Sequence, residues 1–245
     1  EGGVLTGART IQLAGSWAFI GTDTALVVLD LDKPLAPKVI TTIPFDRVTG
    51  IAIQFRYAFV TDARGLHVLD ITHIDHIREV RGAHLPFSDA RGVYLARTYA
   101  YVSGGRDGLI IVDVEKPEKP RVYMTYTENG SINDLYDVKT ATTNASFFAY
   151  LADGRNGLKV LQLTDPERVP GFYGFSPEVK PKLIAWYPTA GPARAISKPL
   201  DRDRAVDETG HQMAVFGRIG SRPFTLPEMQ KLYLRPDGTL FTVPK

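Results

Sequence analysis

Tyr99-Ala-Tyr-Val-Ser-Gly-Gly-Arg-Asp-Gly-Leu-Ile-Ile-Val-Asp113 reads as two short strands joined by a tight turn. Aromatic, small and β-branched residues fill Tyr99–Val102 and Leu109–Asp113, a pattern suited to a strand buried on one or both faces. Gly and Asp in the connection Ser103-Gly-Gly-Arg-Asp107 are the residue types that supply the positive φ of a tight turn. The second of these strands occurs four times, as Ala25–Asp30, Gly65–Asp70, Gly108–Asp113 and Gly157–Gln162. The starts lie 40, 43 and 49 residues apart, so each repeat is one supersecondary unit.

Working outward, each signature strand follows a partner: Trp17–Ile20, Tyr57–Val60, Tyr99–Val102 and Phe148–Leu151. After it comes a proline-bearing loop, as in Lys33-Pro-Leu-Ala-Pro37, Lys116-Pro-Glu-Lys-Pro120 and Asp165-Pro-Glu-Arg-Val-Pro170; Thr72-His-Ile-Asp-His76 departs from the pattern. Proline cannot donate to a ladder, so the loop ends one strand and turns the chain toward an edge strand. The edge strands expected are Lys38–Ile43, Ile77–Val80, Arg121–Thr125 and Lys182–Trp186. Thr10–Leu13, Gly50–Ile53, Gly92–Leu95 and Asp137–Lys139 open the units. Four antiparallel strands per unit of this length form a propeller blade. A leucine-rich solenoid needs shorter repeats of one strand each, and a sandwich shows no internal repetition.

The expected fold is therefore an all-β propeller of four-stranded antiparallel blades, in one domain spanning residues 1–245. The blades fall at about 8–45, 46–87, 88–133, 134–189 and 190–245, the last completed by residues 1–7. Ala193-Arg-Ala-Ile196 echoes Ala8-Arg-Thr-Ile11 and Ala90-Arg-Gly-Val93, Met213–Phe216 echoes a second strand, and Gly238–Val243 a third. Val4-Leu-Thr6 is expected as the strand that closes a five-bladed ring, within the usual range of about 4 to 8 blades. The competing arrangement is a piece of a larger ring. Thr225-Leu-Pro-Glu228 is a capping box that starts a short helix near the C-terminus, running to about Leu234.

Net charge is +2, from 29 basic and 27 acidic residues, which argues against the one-signed field of a nucleic-acid interface. No apolar run approaches the roughly 18 residues of a membrane span. The chain has no cysteine, which excludes disulfides, thiolate metal sites and covalent haem attachment within it. It begins at Glu1 with neither Met nor a signal segment, and we expect a processed or excised form. The sequons at Asn129 and Asn144 carry little weight.

Leu109-Ile-Ile-Val-Asp113, the preceding Ala100–Val102 and the Asp113-to-Pro120 spacing together resemble the LVIVD repeat family. The resemblance covers residues 8 to about 189. It implies a secreted, periplasmic or cell-surface β-propeller of bacteria or archaea, and it carries no catalytic residues. The closing part of the chain also resembles tails of repeat proteins that accompany multihaem cytochromes in extracellular electron transfer.

Several residue groups invite a functional reading. His67, His73, His76 and His84 cluster in sequence; His73 and His76 are metal candidates, though no pairing follows a known ligand spacing and solvated loop histidines are the plainer reading. Asp201, Asp203 and Asp207 are spaced as in a calcium loop, but Val206 and Gln212 stand where such a loop needs Gly and Glu, and interleaved arginines point to a salt-bridged insertion. Arg9, Arg91 and Arg194 open three of the five inner strands and could ring the central channel as an anion site. The plainer expectation is that each finds a blade carboxylate such as Asp46, Asp89 or Asp134. Phe172, Tyr173 and Phe175 sit in an insertion, Glu167–Pro181, and form either a partner surface or a cover for their own blade.

No nucleophile elbow, P-loop, dinucleotide fingerprint or zinc-protease motif is present. The expected function is a non-enzymatic extracytoplasmic propeller that binds or scaffolds another protein or another part of its own precursor. The alternatives are an accessory propeller of a multihaem-cytochrome assembly and a propeller hydrolase or lyase with a central-funnel site. No cofactor is expected in the chain itself, calcium being the one ion its spacing invites.

Overall fold

The structure, a computed structural model, describes residues 3–143, 146–164, 167–169 and 175–197, with short pieces between 218 and 239. Sheet one contains β1 (Thr10–Ala14), β2 (Trp17–Gly21), β3 (Ala25–Asp30) and β4 (Lys38–Pro44). Sheet two contains β5 (Gly50–Gln54), β6 (Tyr57–Asp62), β7 (Gly65–Asp70), β8 (Arg78–Glu79) and β9 (Leu85–Pro86). Sheet three contains β10 (Gly92–Ala96), β11 (Tyr99–Ser103), β12 (Leu109–Asp113) and β13 (Arg121–Tyr126). Sheet four contains β14 (Asp137–Thr143), β15 (Ser146–Ala152), β16 (Leu158–Thr164) and β17 (Lys182–Tyr187). All four are antiparallel meanders, and the fold is propeller-like. The first strands stand side by side: β1 lies against β5, β5 against β10, and β10 against β14.

The repeat in the sequence is a repeat of physical contacts. The Asp that ends β3, β7 and β12 accepts a hydrogen bond from the backbone N–H two residues on, at 2.8, 2.9 and 3.0 Å. This side-chain turn ends the strand and starts the loop. Trp17, Tyr57 and Tyr99 pair across the sheet with these aspartates. The outer strand slips register at the same place in three sheets, beside Val28/Leu29, Ile111/Val112 and Val160/Leu161. Sheet two replaces that bulge by a loop. Its outer strand, expected as one run at Ile77–Val80, is instead two fragments, β8 and β9, because residues 80–84 loop out between them.

Packing is written between sheets rather than within them. Phe19, Leu26 and Val28 meet Ile51, Ala58 and Val60; Phe59, Leu66 and Val68 meet Ala100, Val102 and Ile110; Tyr101, Leu109 and Ile111 meet Ala149, Leu151 and Leu161. Sheets two and three thus bury both faces between their neighbours, as a blade must. Ala18, Ile20, Ala25 and Val27 form a further cluster on the other face of sheet one, with Val4 against it.

The N-terminal expectation needs correction. Val4–Thr6 is not a strand: Gly3 and Gly7 take φ of 71° and 73°, and the N–H groups of Thr6 and Ala8 donate to the carbonyls of Gly3 and Leu5. Two successive turns fold the segment back and set Val4 against sheet one. The segment that carries the Ala-Arg echo repeats one contact of the other units. Gly154 bridges Ala193 as Gly105 bridges Leu135, so the chain leaving sheet four meets that sheet's hairpin turn as the chain leaving sheet three meets its own. Beyond it, Arg218–Ile219 (β18) pairs with Arg222–Pro223 (β19). Pro227 and Gln230 are helical, and Leu234 N–H donates to Gln230 C=O at 2.9 Å. The strand expected at Met213–Phe216 lies outside the described residues, as does most of Gly238–Val243.

Candidate functional site: the central funnel

The residue just before each inner strand faces the axis. Arg9, Thr49, Arg91 and Tyr136 hold this place through one shared contact: each N–H donates at 2.8 Å to the end of the second strand, at Gly21, Thr61, Ser103 and Ala152. Arg194 holds it in the segment leaving sheet four. All five line one cavity of about 560 Å³, with Ile11, Ile51 and Val93 along its wall. The tertiary structure therefore brings together the three arginines named from sequence. It adds Tyr136, Lys139 and Asp137, of which the sequence marks Asp137–Lys139 only as the strand that opens the fourth unit.

Each cation finds a different balance. Arg9 pairs with Asp23, in the turn of its own sheet, rather than with Asp46. Arg91 makes a bidentate pair with Asp89, at 2.7 Å from Nη2, and reaches Asp134 at 3.0 Å from Nη1, as expected. The hydrogen bonds that Arg91 donates to Asp89, working against burial, hold the guanidinium well above its ordinary pKa. Burial pushes the Asp134 carboxyl up, but the Arg155 backbone N–H and the Arg91 and Arg155 guanidinium groups outweigh it and hold it below the usual range. Lys139 Nζ lies 2.5 Å from Asp137 Oδ1. Asp137 also accepts from the N–H groups of Val138 and Ile196, which ties the segment leaving sheet four to β14. Arg194 is exposed and makes no ion pair among the described residues; its guanidinium lies 5.6 Å from the Tyr136 ring centroid, and that of Arg91 lies 4.2 Å from the same ring.

The other sequence candidates do not join this site. His73 and His76 are exposed in the loop after β7, and no group of three metal-binding side chains occurs among the described residues. His67 is buried, not solvated: its Nδ1 lies 2.7 Å from Glu79 and its Nε2 lies 2.9 Å from Asp62, with His84 stacked at 4.4 Å. The loop at residues 80–84 makes the room for this stack. Asp201, Asp203, Asp207, Phe172 and Tyr173 lie outside the described residues. Phe175 is 80% exposed, while Ser176 beside it bonds to Thr98 and Glu178 accepts from Tyr123 at 2.8 Å.

A second concavity, of about 540 Å³, opens at the other end of the inner strands, between sheets one and two. Trp17, Ile53, Ile71 and Ile74 line it, and Phe55 stands on its rim, 92% exposed. Phe55 takes φ of 54°, the left-handed conformation that Gly15 adopts in sheet one and Arg97 in sheet three. A bulky side chain there costs on the order of 1 kcal/mol.

The comparisons with known proteins concern the fold. The LVIVD repeat profile matches residues 47–75 and 88–128, the second and third units. No curated protein matches the chain. Among solved structures, a 6-phosphogluconolactonase-like protein of Bacteroides uniformis is similar at a TM-score of 0.60 and 12% identity, over 88% of this chain and 71% of that one. A protein of unknown function from Desulfotomaculum acetoxidans is similar at 0.57 and 11% identity, over 89% and 74%. Hydrazine synthase of Kuenenia stuttgartiensis gives 0.51 and 16% identity over 73% of this chain, which spans only 49% of the hydrazine synthase chain. With its meander sheets and these likenesses in view, the chain carries LVIVD repeats in its second and third units and has a propeller-like fold.

Proposed function

We propose that the protein is a non-enzymatic, extracytoplasmic binding module that docks an apolar segment of another protein at the end of the propeller marked by Phe55. The observation that carries this reading is Phe55 itself. It is an aromatic ring almost fully in water, in a backbone conformation that disfavours it, beside an apolar groove. Folding gains nothing from such a residue, whereas a rigid ring that buries on binding contributes strongly to affinity. The funnel supports the non-enzymatic part. Its described lining holds no histidine, cysteine or glutamate, and its single carboxylate, Asp137, is held by Lys139 and two backbone N–H groups.

The test compares the full chain with its Phe55→Gly variant. Both are used to capture protein from the secreted and surface fractions of the source organism, and affinity is then measured with the purified partner. We expect binding to weaken by about 10-fold or more, as for a hot-spot ring. Equal affinity of the two forms would remove the reading. The accessory role beside a multihaem cytochrome rests on the closing part of the chain, most of which lies outside the described residues.

A further inference from the structure

The funnel mouth carries an uncompensated cation. Asp23 balances Arg9, Asp89 and Asp134 balance Arg91 and Arg155, and Asp137 balances Lys139. Arg194 alone among these has no carboxylate among the described residues, yet its guanidinium is set near a ring that already carries Arg91. Two guanidinium groups against one aromatic repel each other, and an anion between them relieves that repulsion. The Tyr136 hydroxyl has no hydrogen-bond partner among the described residues and adds a neutral donor. Along the wall from this cationic mouth run Ile11, Ile51 and Val93, and Ile11 is 62% exposed, although it sits on an inner strand. The volume falls within the range of roughly 300–1,000 Å³ typical of small-molecule sites.

We propose that the funnel binds a small organic anion, its carboxylate held by Arg194 beside Tyr136 and its aliphatic body laid along Ile11, Ile51 and Val93. The site is formed by residues from all four sheets and by Arg194 and Ala195 of the segment that leaves sheet four. It lies at the opposite end of the inner strands from Phe55, so it stands or falls apart from the docking reading.

The test is calorimetric titration of the full chain with octanoate and, separately, with inorganic phosphate. The expected result is octanoate binding that weakens about 10-fold or more in Arg194→Gln. Binding should be unchanged in Arg106→Gln, an exposed arginine away from the funnel, and in Phe55→Gly. Thermal midpoints confirm that the variants fold. No octanoate binding at millimolar concentration overturns the site, and so does equal binding by Arg194→Gln. Loss in Phe55→Gly instead would place the ligand in the other groove. Phosphate binding as tightly as octanoate would strike out the aliphatic part.

Discussion

Lys159 Nζ lies 2.5 Å from Asp153 Oδ2, with only 4% and 0% of the two side chains exposed. The same two positions in sheet two hold His67 and Asp62, 2.9 Å apart. Sheets one and three fill them with Thr22 and Val27, and with Gly104 and Ile110. Alternate blades therefore carry a buried acid–base pair behind the hairpin, and the others carry none.

That alternation predicts strong coupling. Lys159→Val alone strands a buried carboxylate and should cost roughly 3–5 kcal/mol. Asp153→Thr with Lys159→Val installs the pair that sheet one uses, in which Thr22 Oγ1 accepts from the Thr24 and Ala25 N–H groups. The double variant should therefore be more stable than the Lys159→Val single. Urea unfolding of wild type, both singles and the double gives the coupling energy; additive losses would deny it.

Acid should loosen the junction between sheets three and four. The folded state holds the Asp134 carboxyl below its ordinary value, so the group binds a proton more readily when unfolded. Its stabilisation is complete above the unfolded value of about 3.9 and fades as pH falls through the lower folded one. Asp134→Asn should be less stable than wild type at neutral pH, and the gap should shrink on acidification. Thermal melts at pH 7 and in steps below pH 4 measure this; a constant gap would place the contribution of Asp134 elsewhere.

Gly50 fixes how closely the inner strands approach. A Cβ there would stand 2.8 Å from the Gly92 Cα and 2.8 Å from the Val93 N. Gly50→Ala should push β5 from β10 and destabilise the protein by about 1–3 kcal/mol, the usual range for overpacking. Gly92→Ala meets nothing nearer than 3.6 Å and should be mild by comparison. The two midpoints in urea settle the order.

Phe55→Gly should leave the thermal midpoint unchanged or raise it, by up to about 1 kcal/mol of stability, because the strain of a bulky side chain at positive φ is released. A clear drop would mean that the ring supports the fold, and the docking proposal would then lose its ground.

Much of the architecture was legible in the residues because a propeller repeats its contacts. The terminal Asp of each signature strand caps its own turn, the aromatic before it pairs across the sheet, and both relations are local enough to leave a periodic trace. The misread elements are those where periodicity breaks. At residues 80–84 a loop replaces the bulge, and the signal was available in Gly82, whose φ is 78°. At the N-terminus, Gly3 and Gly7 bracket Val4–Thr6 and mark turns where the likeness to Val39-Ile-Thr41 suggests a strand. The strand position of His67 is legible in the sequence, but its burial against Asp62, five residues before it, is not.

By itself, the sequence determined the class of fold, the unit length, the order of strands and the Ala-Arg positions that open three inner strands, because strand alternation, turn chemistry and repetition act over a few residues each. Only the tertiary structure decided which charges meet. Asp23 reaches Arg9 from the next turn of its own sheet, Asp134 reaches Arg91 from the neighbouring sheet, and Arg194 arrives beside Tyr136 without a carboxylate among the described residues. These partners are up to 58 positions apart (136 to 194), and although the arginines repeat, the groups they meet do not. Their pairing follows from how the sheets fan around the axis, a distance relation that no local pattern encodes.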